Sequence, residues 1–515
     1  MFLGIDASTQ SLTAVVLDGI SGEILAQQSV NFGANLPEYG CVSGFLPNGK
    51  NGEVHSPPAM WLDALDMLLE KLNGGIDLSK IEIICGSGQQ HGTVYLDGTF
   101  DARLAALRNE NSLASQLTPA LTRATSPIWM DNSTGSACAE ISEKMGGAHE
   151  VCRISGSIAI ERFSGPQIRR FHQTDAAAYE RTERIHLVSS FMGSVLLGRS
   201  MPIDLGDGAG MNLLNLAEGR WDENLLDATA PELAKRLLAP MPAGSLLGSI
   251  HPYFQKKYGF SNSCQIATFT GDNPASLVGM GATLPGQVVI SLGTSDTYFA
   301  AMPQAVTDPQ GFGHVFGNPA GGFMSLICFR NGSLAREAMR DAHRLDWSAF
   351  EKQAMLASSL LAGRNLMLPF YQPEITPRCS LSEPIFDFET DADSTAQVRA
   401  LVESQFLNMR LHSQWLGVEP ERILLTGGAS RNDGIAQIIA DVFQVPVERL
   451  EVANSAALGA ALLAAAAGGQ DLSSLQACYC QPENGSRLLP NTALAPIYQQ
   501  ALARYRQLLA AHAGE

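Results

Sequence analysis

Phe2-Leu3-Gly4-Ile5-Asp6 is an apolar run of strand length, Ala7-Ser8-Thr9-Gln10-Ser11 a small polar turn, and Leu12-Thr13-Ala14-Val15-Val16-Leu17-Asp18 a second apolar run. Asp18-Gly19 and Ser21-Gly22 signal another turn, and Glu23-Ile24-Leu25-Ala26 a third strand. The reading is an antiparallel meander with a hydroxyl-bearing loop at its first turn. The same grammar restarts late in the chain. Gly286 to Leu292 reads as a strand, Gly293-Thr294-Ser295-Asp296-Thr297 as a polar turn, and Tyr298-Phe299-Ala300-Ala301 as the returning strand. Such internal symmetry decides the fold, and here it repeats at the scale of a domain.

Working outward, apolar residues at helical spacing predict a helix over Pro58 to Leu72. Ile81 to Cys85 reads as a buried strand ending in the polar run Gly86-Ser87-Gly88-Gln89-Gln90-His91-Gly92. In the second half a helix is expected from about Gln397 to Trp415. Arg422 to Thr426 is then a strand running into Gly427-Gly428-Ala429-Ser430, with a helix starting near Asn432. Asn35 to Pro57 and Asp471 to Thr492 read as long loops. The fold class is therefore α/β, a duplicated architecture with one polar turn per half facing a shared cleft. Pro240, Pro242, Gly244 and Gly248 put the junction at 241–259, dividing the chain into 1–250 and 251–515.

The chain has 515 residues, enough for two large domains or three average ones. With 45% hydrophobic and 17% charged residues it is no disordered polymer. A net charge of −17 repels phosphate backbones and anionic membranes, so neither nucleic acid nor membrane is an expected partner. Nine cysteines without a CxxC pair fit reduced thiols in the cytoplasm better than a zinc or disulfide framework. No Lys or Arg precedes Lys50, so a basic targeting segment is not expected. The longest apolar stretch, Ala456 to Ala467, is too short for a bilayer and reads as a buried helix.

P-loop, dinucleotide-fingerprint, nucleophile-elbow and H-E-x-x-H patterns are all missing, so phosphates must be held some other way. Asp6-Ala7-Ser8-Thr9 offers a carboxylate at a strand end, then hydroxyls and free N–H groups. That suits a phosphate, with Asp6 holding Mg²⁺ directly or through water; an ordinary Asx or Ser turn has the same look. The matching Gly293-Thr294-Ser295 turn is what a two-domain phosphate clamp needs. At Gly427-Gly428-Ala429-Ser430-Arg431-Asn432 the bare backbone can approach a nucleotide, or simply join a strand to a helix.

In Phe269-Thr270-Gly271-Asp272-Asn273-Pro274, a carboxylate ends an apolar strand just before a helix start. Asp272 is either a helix cap or the general base that accepts a proton from an attacking hydroxyl. His91 is either a structural histidine or, with Gln89 and Gln90, part of a grip on a polyol. Trp129, Asp131, Arg162 and the run from Asp204 to Met211 add polar groups, although Asp207-Gly208 also reads as a turn. Trp347 is a packing residue or a flat surface for adenine.

These stretches resemble the sugar kinases of the FGGY carbohydrate kinase family, which share the actin-like, ribonuclease H-like ATPase fold: two domains with an interdomain cleft. The resemblance rests on the turns and strand ends above. It also rests on Glu161-Arg162-Phe163-Ser164-Gly165, Gly208-Ala209-Gly210-Met211-Asn212, Phe269 to Leu277, Ser291 to Thr297 and Cys328-Phe329-Arg330-Asn331-Gly332-Ser333, in family order from residue 4 to about 467. It implies a sugar-binding N-terminal domain, an ATP-binding C-terminal domain, and closure that excludes water. It implies phosphoryl transfer from ATP to the 5-hydroxyl of D-xylulose, with Asp272 as the base.

By the same resemblance, His91, Arg162, Asp272 and Asn273 would bind the ketopentose. Gly427, Gly428, Ala429 and Asn432 would contact ATP, Trp347 would lie by the adenine, and Thr9 and Thr294 would approach the phosphates. Asp6 would hold Mg²⁺. Sugar and ATP are the implied partners of a monomer or homodimer. One position departs from the pattern: Gln90 stands where many bacterial members carry Met. The rival readings are a kinase of ribulose or glycerol, and a non-catalytic actin-like ATP-binding protein, which would be expected to lack the base.

Overall fold

The opening meander is built as read. Strands Phe2–Ala7 and Ser11–Leu17 pair antiparallel, with Asp6 opposite Thr13, and Ser11–Leu17 pairs antiparallel with Ile24–Asn31. The computed structural model describes residues 1–356, 362–388 and 393–513. They form two units: Met1–Gly281 with Val315–Phe323 and Ala453–Cys480, and Ala282–His314 with Met324–Val452 and Gln481–Glu515.

In the first unit the sheet runs Leu246–Ser249, Gln265–Ala267, Ile83–Gly88, Phe2–Ala7, Ser11–Leu17, Ile24–Asn31, and Thr270–Gly271 also pairs with Ile83–Gly88. Phe2–Ala7 is buried along its whole length, which is why it reads as an unbroken apolar run and not as an alternation. Leu3, Ile5 and Ala7 join a core with Trp61, Leu65 and Leu68 of helix Pro58–Asn73 and with Phe191 and Val195 of helix Val188–Leu197. Helix Ser455–Ala467 packs on Phe2–Ala7 and against helix Asp272–Gly279. This approach is at backbone distance. A Cβ added at Gly4 would lie 2.2 Å from the Ala457 carbonyl oxygen, and one at Gly459 would lie 1.8 Å from that of Ala275. The alanine-rich stretch is thus the buried helix expected, and its small residues are what let it come so close.

The second unit repeats the plan. Gln287–Leu292 pairs antiparallel with Asp296–Met302 and parallel with Arg422–Thr426, which pairs parallel with Val447–Arg449. Helix Ser394–Ser413 is started by Asp393, whose carboxylate accepts from the Ala396 N–H at 2.9 Å, and it packs among four other helices of this unit.

Two expectations differ from what is found. The stretch 241–259 is no linker: Leu246–Ser249 pairs with Gln265–Ala267 in the first sheet, helix Pro252–Tyr258 packs on helix Pro58–Asn73, and the first unit runs on to Gly281. The Pro and Gly cluster there turns the chain between elements of one sheet. In the segment read as a loop over Asp471 to Thr492, Leu472–Tyr479 is a helix. Asp471 caps it, Leu475 is buried, and the Gln476 side-chain amide donates to the Val278 carbonyl at 2.8 Å.

Candidate active site

Three strands of the first unit end in step. Asp6 and Thr270 both register with Ser87, and Ala7 and Gly271 both register with Gly88. Carboxyl ends of parallel strands are where open α/β sheets place their ligands. Here that row carries the Asp6 carboxylate, the Gly88-Gln89-Gln90-His91 run and, one residue beyond Gly271, Asp272. Asp6 is buried and accepts hydrogen bonds from the hydroxyls of Ser8 and Ser87. Burial raises its carboxyl, and those two bonds oppose the rise.

Asp272 opens helix Asp272–Gly279 and does not cap it: the N-cap is Gly271, without a side-chain bond. Its Oδ1 accepts from the backbone N–H of Gln90 at 3.2 Å and of Asn273 at 2.9 Å. Burial first, and the neighbouring Asp6 carboxylate second, push its carboxyl up to about 7. The Asn273 amide donates to Gln90 Oε1 at 2.8 Å, which ties the two polar runs together. Behind them lie Asp204, pushed up to about 6 by burial, and the fully buried Asp207, raised well above the usual range by burial and by Asp204.

His91 sits at φ 73°, a left-handed conformation uncommon for a side chain of this size. Its Nδ1 pairs with the Gly210 carbonyl at 2.8 Å, and its ring stacks on Phe163 at 4.2 Å, with the Arg162 guanidinium 5.5 Å from the Phe163 centroid. Burial and the Arg162 charge lower its pKa to about 3, so the imidazole is neutral. With Nδ1 donating to a carbonyl, Nε2 is an acceptor. Asp131, by contrast, is turned inward. Burial would raise its carboxyl, but bonds from His55, Ser133 and Gln167 outweigh this and hold it well below the usual range. Thr9 belongs to the first unit, where its hydroxyl accepts from the Trp129 indole at 2.8 Å.

The second unit holds a cavity of about 600 Å³ lined by Thr294, Trp347, Gly428, Ala429 and Asn432. Five of the residues assigned to ATP therefore converge. Gly427 stands at the root of this loop at φ 87°, where a Cβ would fall 2.5 Å from the Leu292 carbonyl oxygen; a Cβ at Gly428 would meet nothing within 4 Å. The Gly293–Thr294 turn is anchored from behind by the Asp296 carboxylate, held by both guanidinium nitrogens of buried Arg336 at 2.8 Å. Asn432 is also the cap of helix Asp433–Phe443, accepting from the Ile435 N–H at 2.9 Å.

The sequence reading missed Glu351, which lines the same cavity and accepts from the Asp433 N–H at 3.1 Å. Its position four residues after Trp347, on one helix face, was the available signal. For Asp207 the sequence leaves a polar site group and a turn residue open; nothing local marks that carboxylate as buried beside Asp272.

The family model for the N-terminal domain of the FGGY family of carbohydrate kinases matches residues 1–279, and that for its C-terminal domain matches residues 288–468. The xylulose kinase of Rattus norvegicus is 39% identical over 523 residues, covering 98% of this chain and 96% of that protein. Among solved structures, the xylulose kinase of Rhodospirillum rubrum superposes with a TM-score of 0.81 at 20% identity, covering 99% of this chain and 98% of that one. The gluconate kinase of Lactobacillus acidophilus superposes almost as well, with a TM-score of 0.80 at 22% identity and the same coverage of each chain. The fold is thus common to kinases of different sugars and does not choose between them.

Proposed function

The chain belongs to the FGGY family of carbohydrate kinases, a family of phosphotransferases, and from that premise we propose that it transfers the γ-phosphoryl group of ATP to the 5-hydroxyl of D-xylulose. The products are D-xylulose 5-phosphate and ADP. The sugar assignment rests on the 39% identity to a xylulose kinase over nearly the whole length of both chains. The reaction type is carried by Asp272, a strand-end carboxyl pushed up to about 7 and aimed by two backbone N–H groups.

A base works best when its pKa lies near the working pH, and Asp272 meets that condition. It would take the proton of the 5-hydroxyl as that oxygen attacks in line. His91, Arg162 and Asn273 would hold the ketopentose, His91 by accepting a hydroxyl proton on Nε2. The donor nucleotide fits the cavity of the second unit: Trp347 offers a flat face, bare backbone at Gly428 and Ala429 allows close approach, and Asn432 supplies an amide. Gly427, Thr294 and Thr9 would serve the phosphate end.

Among the described residues, no three His, Cys, Asp or Glu side chains converge on a metal site. Mg²⁺ in kinases is held by one or two carboxylates plus phosphates and water, not by a protein cage. Asp6, a buried carboxylate bonded only by two hydroxyls, fits that mode. When bound, the cation neutralises charge developing on the phosphate oxygens. The remaining catalysis is positioning and fixed dipoles from this chain's own groups.

None of the nine cysteines is in a disulfide, and no described helix is long and apolar enough to cross a membrane. Unbridged cysteines are in keeping with a reducing, cytoplasmic setting, and the chain is proposed to act as a monomer or homodimer. The test is an ADP-release assay with Mg-ATP against D-xylulose, D-ribulose, glycerol and no acceptor. D-Xylulose should give the highest kcat/KM. A higher value with another acceptor would overturn the sugar assignment, and ADP release independent of any acceptor would overturn the kinase mechanism.

A further inference from the structure

Three buried side-chain polar atoms beside Asp272 lack a hydrogen-bond partner: Nε2 of Gln89, Nε2 of Gln90 and Oδ1 of Asp207. Buried polar atoms are almost always paired, because leaving one unpaired forfeits its hydration with nothing in return. Two of these three are complementary, a donor and an acceptor. A Cβ built on Gly271 would lie 3.0 Å from Asp207 Oδ1, 2.6 Å from Gln90 Cγ and 3.0 Å from Gln90 Cδ. The Gln90 side chain and the Asp207 carboxyl therefore both flank the bare Cα of Gly271, the residue that precedes Asp272, and a bond from Gln90 acts on the Asp207 carboxyl. Only glycine leaves room there for them to meet.

Each of the two is held firmly at its other end. Asp207 Oδ2 accepts from the Ser189 hydroxyl at 2.5 Å, and both residues are completely buried. Gln90 Oε1 accepts from the Asn273 amide at 2.8 Å, and the Gln90 backbone N–H donates to Asp272. We propose that Asp207 is a positioning residue for the phosphoryl transfer: the chain Ser189–Asp207–Gln90–Asn273 fixes the amide that grips the sugar and the rotamer of Asp272. The proposal rests on the reading of Asp272 as the base and Asn273 as a sugar ligand.

The charged and titratable groups facing Asp207 are Asp204 on its own turn and Asp272 across Gly271. Burial and those two carboxylates raise its carboxyl well above the ordinary value, which disfavours a charge there. It then acts through shape and hydrogen bonds and not through charge, and an asparagine side chain can make the same two contacts. A purely structural carboxyl in this place would affect the fold alone. A positioning one separates the two substrates, because only the sugar is bound through Asn273.

The test is a double-mutant cycle of Asp207→Leu and Gln90→Leu, read as kcat and as KM for D-xylulose and for ATP in the full-length enzyme with Mg-ATP. Asp207→Leu should lower kcat/KM for D-xylulose by about tenfold or more, leave the ATP KM within about twofold, and be rescued to within about threefold of wild type by Asp207→Asn. The double variant should be no worse than the worse single one, because each breaks the same chain. Effects that multiply, an ATP KM that rises with the sugar KM, or an Asp207→Asn as damaged as Asp207→Leu would overturn the proposal. If Asp207→Leu fails to fold, Ser189→Ala takes its place in the cycle, with the same non-additivity expected. The wild-type rate with D-xylulose and the Asp272→Asn rate, taken in the same assay, show separately whether the substrate and base readings hold.

Discussion

Gln90 and Asp272 are 182 residues apart in sequence, yet the backbone N–H of one donates to the carboxylate of the other at 3.2 Å. The bond follows from strand register. Thr270–Gly271 runs parallel to Ile83–Gly88, with Gly271 level with Gly88, so the residues just past both strands emerge together. The carboxylate is thereby aimed by two amides of fixed backbone. It does no capping work, since Gly271 is the N-cap of the following helix.

That finding divides the two readings of Asp272. Asn keeps the shape and can still hydrogen-bond a hydroxyl, but it cannot accept the proton. Asp272→Asn should lower kcat with D-xylulose by about 10²–10⁴-fold while ATP titration and fold stay intact. If Asp272 were only a cap, Asn would serve as well and the change would be nearly silent. A variant that melts like wild type and turns over at more than about a tenth of its rate would remove Asp272 from the chemistry.

The raised carboxyl also sets a pH dependence. As the proposed base, Asp272 works only when ionised, and burial and the Asp6 carboxylate push its carboxyl up to about 7. The kcat/KM for D-xylulose should therefore rise with pH through about 7 and then level off. His91, lowered to about 3 by burial and by Arg162, is neutral across this range and adds no step of its own. Stability moves the opposite way. An unfolded aspartate releases its proton near about pH 4, whereas native Asp272 keeps it to about 7, so between those values the native state binds more protons and stability falls as pH rises. Asp204, at about 6, acts in the same direction. Melting temperatures at pH 5 and pH 8 should differ less for Asp272→Asn than for wild type. An equal difference would mean that Asp272 does not titrate in this window.

Most of the polar strand ends and turns were legible because they lie in short segments with strong local signals. A run of buried strand residues ending in Asp6 or Asp272 announces both the strand and the group at its end. Gly427 and Gly428 announce a loop that must pass close to something. What could not be read was long-range. Leu246–Ser249 carries turn residues around it and pairs with its neighbour only through tertiary register, so the stretch passed for a linker. Leu472–Tyr479 has little apolar periodicity and is held by one cap and a few buried contacts. The approach of the Asp207 and Gln90 side chains to the bare Cα of Gly271 is a relation among three distant segments that no spacing rule reports.

The close approach of two helices in the first unit yields a stability test away from the polar groups. A Cβ at Gly459 would lie 1.8 Å from the Ala275 carbonyl oxygen and 2.9 Å from the Gly279 nitrogen. These are backbone atoms, so no rotamer change can relieve the clash. Gly459→Ala should destabilise the protein by about 1–3 kcal/mol or more, despite the better helix propensity of alanine, because the helices must separate. The urea midpoint measures it. A midpoint at or above wild type would mean that helix Ser455–Ala467 does not pack here. Because Ala275 follows Asp272 by less than one helical turn, kcat should fall as well in any variant that still folds.

Trp347 offers the last test, on the nucleotide side. It is 43% exposed, and its indole has the Arg340 guanidinium 4.5 Å from one ring while it lines the cavity with Gly428 and Asn432. The cation fixes the ring in place from one side, and the exposed surface is free to take a flat heteroaromatic group. An aromatic stack of this kind is worth about 1 kcal/mol, a factor of about five in an equilibrium constant. Trp347→Ala should therefore raise the KM for ATP about fivefold and leave the KM for D-xylulose within about twofold. Loss of fold is not expected, because the residue is half-exposed and contributes no core volume. Arg340→Ala should show a smaller shift in the same direction, since it loosens the indole without removing it. If the sugar KM rises and the ATP KM does not, the indole does not face the adenine. If the two variants move ATP and sugar together, the helix Trp347–Leu356 has shifted and the effect is structural.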